Sequence, residues 1–70
     1  MAKTMGQKIR EARESLGITR AEAARRAGCT RGNWWAWEND RNSPTMTTLQ
    51  KVADAVECEL DVLLRPQRTD

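Results

Sequence analysis

The stretch Ile18-Thr19-Arg20-Ala21-Glu22-Ala23-Ala24-Arg25-Arg26-Ala27-Gly28-Cys29-Thr30-Arg31 decides the fold. Thr19-x-x-Glu22 has the form of a capping box, in which each side chain satisfies a free backbone N–H at a helix start. It predicts a helix over about Arg20 to Ala27. The inner face of that helix, Ala23, Ala24 and Ala27, is built of small residues, so another helix can approach closely. Gly28 stops it, because glycine accepts the positive φ common just past a helix end. Cys29 and Thr30 make the turn, and Thr30 caps a further helix over Arg31 to Asn39.

Working outward, a first helix runs from about Thr4 to Leu16, with apolar Met5, Ile9, Ala12 and Leu16 spaced by four, three and four. Gly17 ends it. Asp40 to Pro44 form a polar loop. Thr45 caps a fourth helix, Met46 to Val56, with Met46, Leu49, Val52, Ala53 and Val56 as its inner face; Thr47 with Gln50 is a competing cap. The next segment has two readings. Leu60, Leu63 and Leu64 fit a short fifth helix, whereas Cys58, Leu60, Val62 and Leu64 alternate with Glu59 and Asp61 as a strand would. Leu63 breaks the alternation, and the helix is preferred. The expected folded core is about residues 4–65, with 66–70 a frayed end.

Seventy residues make one domain, 1–70. A domain this small buries only about 60% of its unfolded surface, so dimerisation would help it. Three tryptophans are the only aromatics. Two cysteines outside any CxxC pair, with no histidine, argue against a zinc site. Nothing resembles a signal peptide or a membrane span. These features predict a cytoplasmic protein with free thiols and no metal or cofactor. An enzyme is not expected, since no nucleophile–base pair or phosphate loop is present. Residues 1–42 carry nine Lys and Arg against five Asp and Glu, while residues 43–70 carry three against five. A basic half on a near-neutral chain suits a polyanion facing one side.

Two short helices joined by the tight turn Ala27-Gly28-Cys29-Thr30 make a helix-turn-helix unit. The run from Ile18 to Arg31 resembles the phage repressor and Cro family, also called the xenobiotic-response-element family. The resemblance continues through Trp37-Glu38-Asn39, Asn42-Ser43-Pro44-Thr45, Thr48-Leu49, Leu60-Asp61 and Leu63-Leu64, covering about residues 5 to 65. It implies an all-α, five-helix, lambda-repressor-like domain whose third helix enters the DNA major groove. It also implies a DNA-backbone role for Arg20, Asn39 and Arg41, to which Thr30 is added at the helix start. Arg13 and Glu38 are positions the family often pairs, and they are expected here as a structural ion pair. Three residues depart from the pattern. Trp34 stands where Ile or Val is usual, read as volume compensation for Ala23 and Ala27. Trp35 is expected to be largely exposed. Asp40 stands where glycine is frequent, and a carboxylate beside phosphates is unfavourable.

At about 100° per residue, Trp34, Trp37 and Glu38 share one face of the third helix. Gly32 and Ala36 lie opposite, flanked by Arg31, Asn33 and Trp35. With the two indoles inward, Arg31, Gly32, Asn33, Trp35 and Ala36 form the base-reading set. Arg31 suits guanine O6 and N7, Asn33 suits adenine or a phosphate, and the Ala36 methyl suits a thymine methyl. Lys3, Lys8, Arg25 and Arg26 are expected to be solvated.

The expected function is sequence-specific double-stranded DNA binding by a transcriptional repressor acting as a homodimer on an inverted repeat. An alternative is an antitoxin that autoregulates its operon, with residues 58–64 pairing as a strand in a toxin complex. A protein-interaction module that has lost DNA binding is a third class.

Overall fold

The computed structural model describes residues 3–64. Five helices follow in order: α1 (Met5–Leu16), α2 (Arg20–Ala27), α3 (Arg31–Glu38), α4 (Met46–Ala55) and α5 (Leu60–Leu64). The segment that sequence left between helix and strand is therefore helical over Leu60–Leu64, with Cys58 and Glu59 preceding the helix, and the expected frayed end at 66–70 lies outside the described residues. No helix among the described residues is long and apolar enough to cross a membrane.

Threonines set the helix starts. Thr4, Thr19, Thr30 and Thr45 each accept a hydrogen bond from the backbone N–H three residues on. This satisfies one of the donors that every helix leaves free at its first turn. Thr45 is thus the cap of α4, and Thr47 is not. The complete capping box is at α1, where the Gln7 side chain also binds the Thr4 N–H. At α2 only half of the expected box forms: Thr19 caps, but the Glu22 carboxylate turns to Arg25 and Arg26. Two strong donors one turn away draw the carboxylate from the weaker backbone N–H. Gly17 and Gly28 close α1 and α2 in the left-handed conformation.

The helices pack α1 on α3 and α5, α2 on α3 and α4, and α4 on α5. The indole of Trp34 is completely buried, with Ile9, Val52 and Leu63 also shut off from solvent. Trp37 meets Trp34 edge-on, with ring centroids 6.0 Å apart and planes at 62°, an arrangement that places a ring edge against a ring face. Ala23, Ala24 and Ala27 of α2, Leu49, Ala53 and Ala55 of α4, and Val56 complete the core. Small side chains on these two helices leave room for the large ring system from α3.

Two expected core positions lie elsewhere. Met46 is 59% exposed and Leu16 sits at the boundary of exposure. Each occupies a terminal turn, where the helix runs past the neighbours it packs against. Correct phase on a helix therefore does not bury them. Ala55, absent from the expected inner face of α4, is buried. Cys29 and Cys58 are free and half-buried. Burial pushes both thiols up, which keeps them protonated and poorly nucleophilic.

Candidate nucleic-acid interface

The orientation of α3 determines what the protein can present. Trp34, Trp37 and Glu38 point inward, and Arg31, Gly32, Asn33 and Trp35 are exposed. Ala36 is half-buried, and its carbonyl accepts from the backbone N–H of Arg41. The α2–α3 elbow positions this face: Gly28 at φ 73° reverses the chain, and Cys29 N–H closes onto Ala24 O.

Between the start of α2 and the outer face of α3 lies a cleft of about 740 Å³. Thr19, Arg20 and Ala21 line it from α2, Arg31, Gly32 and Trp35 from α3, and Arg13 from α1. Three arginines line it and, although Glu38 pairs with Arg13 and Arg20 from behind, the surface it presents is cationic and favours an anion. The N-terminus of α2 adds the positive end of a helix dipole.

A buried ion cluster supports this face from behind. Glu38, with its side chain fully enclosed, accepts from Arg13 Nε at 2.6 Å and Arg20 Nε at 2.9 Å. The Trp34 indole N–H donates to it as well. Arg13 also donates to the Ile18 carbonyl at 2.8 Å, tying α1 to the chain entering α2. Burial pushes the Glu38 carboxyl up, but the bonds from Arg13, Trp34 and Arg20 outweigh it and hold the carboxyl below its ordinary value. Arg13 and Glu38 are thus in direct contact. Arg20, expected at the DNA backbone, is also a second cation on Glu38. The Trp34 and Arg20 bonds were not read from the sequence. Their signal is the i, i+4 spacing of Trp34 and Glu38 and the placing of Arg20 at the first position of α2.

The remaining candidates, Thr30, Asn39 and Arg41, do not line the cleft. The Thr30 hydroxyl accepts from Asn33 N–H, so its oxygen serves as a helix cap. Asn39 ends α3 and donates through Nδ2 to the Trp35 carbonyl at 2.9 Å. The Arg41 guanidinium carbon stands 5.8 Å from the Trp35 ring centroid, within cation–π range. Arg25 is exposed and pairs with Glu22. Arg26 is exposed as well, and it bridges Glu22, Glu57 and the Ala55 carbonyl, linking α2 to the end of α4.

Two further residues set the geometry. Asp40 has φ 56°, the left-handed region, which explains why glycine suits this position. Its carboxylate accepts from Thr4 Oγ1 at 2.6 Å and Gly6 N–H at 3.0 Å, adding to the cap of α1. At Gly6 an added Cβ would lie 2.6 Å or less from the Trp37 and Glu38 carbonyl oxygens, so α1 and the end of α3 meet backbone to backbone.

Five helices, a glycine-turned elbow and an outward third helix beside a cationic cleft define a helix-turn-helix protein of the phage repressor and Cro type. The chain belongs to the Helix-turn-helix domain family, whose pattern it matches over residues 4–66. It is 42% identical over 48 residues to an uncharacterized HTH-type transcriptional regulator of Methanothermobacter thermautotrophicus, covering 69% of this chain and 70% of that protein. Its fold is similar to that of the P22 c2 repressor, solved in complex with synthetic operator 9T. That likeness has a TM-score of 0.84 and 28% identity, and covers 90% of this chain and 96% of that one. It is also similar to SinR, the master regulator for biofilm formation, solved in complex with DNA. There the TM-score is 0.81, the identity 26% and the coverage 87% and 98%.

Proposed function

We propose that this protein is a sequence-specific double-stranded DNA-binding transcriptional repressor acting as a homodimer on an inverted repeat. The observation that carries the reading is the exposed row Arg31, Gly32, Asn33 and Trp35 on α3, opening onto the arginine-lined cleft at the start of α2. In this reading α3 lies in the major groove, with Arg31, Gly32, Asn33, Trp35 and Ala36 at base edges. Arg20, Thr30, Asn39 and Arg41 contact the sugar-phosphate walls. Arg31 carries the largest specificity term, about 1–3 kcal/mol against a wrong base. That the P22 c2 repressor and the regulator SinR, which share this fold, were each solved in complex with DNA supports the DNA-binding reading.

In the dimer, half-sites fall about one helical turn apart, roughly 10 base pairs centre to centre. The exposed apolar side chains of Met46 on α4 and Val62 and Leu64 on α5 are the surface assigned to the partner copy. An antitoxin role is less favoured, because the intermolecular strand on which it rested coincides with α5.

Selection from random-sequence DNA, followed by gel-shift titration, tests the proposal. A palindromic consensus bound with two protomers, and with affinity falling steeply as salt rises, is the expected result. Binding of no sequence above background refutes it.

A further inference from the structure

We propose that the cleft between α2 and α3 reads a guanine flanked by a 5-methylpyrimidine, with Arg31 on the guanine and Gly32 and Trp35 around the methyl group. The inference rests on the DNA-binding reading above and names the base step that reading leaves open.

Gly32 is the first observation. It sits inside α3, although glycine is among the poorest helix formers. A Cβ built on it meets nothing nearer than Thr30 Oγ1 at 4.0 Å. Packing within the protein therefore does not demand glycine here, in contrast to Gly6, whose Cβ would strike backbone. What the missing side chain provides is depth in the cleft that Gly32 lines.

The second observation is what borders that depth. Arg31 and Trp35 stand four residues apart, neighbours on one side of the helix, and both line the cleft with Ala21 opposite on α2. Trp35 is 44% exposed, a large apolar ring with the Arg41 guanidinium near its face. Arg31 thus shares the cleft with the bare Gly32, the Trp35 indole and the Ala21 methyl, the apolar part of a lining that Thr19, Arg20 and Arg13 complete.

Base chemistry matches that pairing. In the major groove guanine offers the two acceptors that arginine reads, and the C5-methyl of thymine is the apolar feature of a base edge. 5-Methylcytosine carries the same methyl. A guanine beside a methylated pyrimidine satisfies both halves of the site, and unmethylated cytosine or uracil leaves the recess empty.

The test uses the duplex recovered from unbiased selection, with dissociation constants measured by fluorescence anisotropy. Each thymine is replaced singly by deoxyuridine, which removes only the methyl group. At the sensitive position, cytosine and 5-methylcytosine paired with guanine form a second comparison. Removing the methyl at one position per half-site is expected to weaken wild-type binding about fourfold, the value of one buried methyl group. Trp35→Ala is expected to bind the thymine duplex more weakly and to bind the thymine and uracil duplexes equally. Its thermal midpoint, measured alongside, should stay near wild type because the ring is outside the core. A methyl effect in both comparisons supports the 5-methylpyrimidine reading; an effect with thymine alone supports the cleft and narrows its ligand to thymine. Equal wild-type affinity for thymine and uracil at every position overturns the inference and leaves DNA binding standing. So does full methyl sensitivity in Trp35→Ala, or a selected half-site with no thymine beside guanine. Binding to no DNA overturns both readings.

Discussion

The Trp34 indole N–H donates a hydrogen bond to Glu38 Oε2 one turn further along α3, and solvent reaches neither side chain. Tryptophan at this position therefore does two things. It fills the space left by the alanines of α2, and it gives a buried carboxylate a third donor beside Arg13 and Arg20. Trp34→Phe keeps most of the ring and removes the donor. A hydrogen bond to a charged group contributes about 1.5–3 kcal/mol, and the smaller ring adds a cavity cost, so the urea midpoint should fall by at least that equivalent with the slope unchanged. A midpoint within experimental error of wild type would mean that the bond is replaceable.

Acid should unfold the protein through the same carboxylate. The folded-state value of Glu38 is held below its ordinary one, burial opposing and the bonds from Arg13, Trp34 and Arg20 prevailing. A depressed folded value stabilises the fold fully above the unfolded-state pKa, about 4.3 for glutamate. That stabilisation is lost as pH falls through the folded value. Urea unfolding should therefore be nearly flat from pH 7 to about pH 5 for this group and steepen below about pH 4. Glu38→Gln should flatten that acid limb.

Glu38→Ala leaves two cations facing an uncompensated space. Removing one partner of a buried pair costs about 3–5 kcal/mol, a large fraction of the stability of a domain this size. DNA binding should weaken because the fold loosens, visible as a much lower thermal midpoint. Lost binding with a near-normal midpoint would instead make Glu38 a direct contributor to the interface.

The helices were legible in the sequence because their ends carry local signals: threonines at Thr4, Thr19, Thr30 and Thr45, glycines at Gly17 and Gly28. The shared face of Trp34, Trp37 and Glu38 was legible from their spacing, and the resemblance, which puts core residues at both tryptophan positions, turned it inward. What escaped was set by tertiary contact. The exposure of Met46 depends on where α4 overhangs its neighbours. The Arg20–Glu38 bond joins residues 18 apart, and the Asp40 carboxylate finds α1 from 34 residues away. Helical phase carries no information about such meetings.

Two glycines should respond oppositely to alanine. Gly6→Ala places a Cβ 2.5 Å from the Glu38 carbonyl oxygen, and overpacking of this kind costs about 1–3 kcal/mol. Gly32→Ala meets open space and gains up to about 1 kcal/mol of helix propensity. For a domain of this size each kcal/mol moves the midpoint by about 4–8 °C. Thermal melts should therefore show Gly6→Ala well below wild type and Gly32→Ala slightly above it, while gel shifts show weaker DNA binding by the stabilised Gly32→Ala protein. A Gly32→Ala variant that is both more stable and equally good at binding would remove any functional reason for the glycine.

Asp40 stands in the loop after α3, where a carboxylate would be expected to repel a nearby phosphate. Its oxygens face the other way, accepting from Thr4 Oγ1 and Gly6 N–H at the start of α1, where the helix dipole favours negative charge. Asp40→Asn tolerates the left-handed backbone and keeps one acceptor, so it should lower stability only slightly. Asp40→Ala loses the cap and strains the backbone, costing about 1–2 kcal/mol. Because the charge is engaged with α1, Asp40→Asn should leave affinity for the selected duplex within about twofold at low salt, where phosphate repulsion is least screened. Tightening well beyond that on loss of the charge would mean that the carboxylate faces the DNA backbone in the complex, and that the loop leaves α1 when it binds.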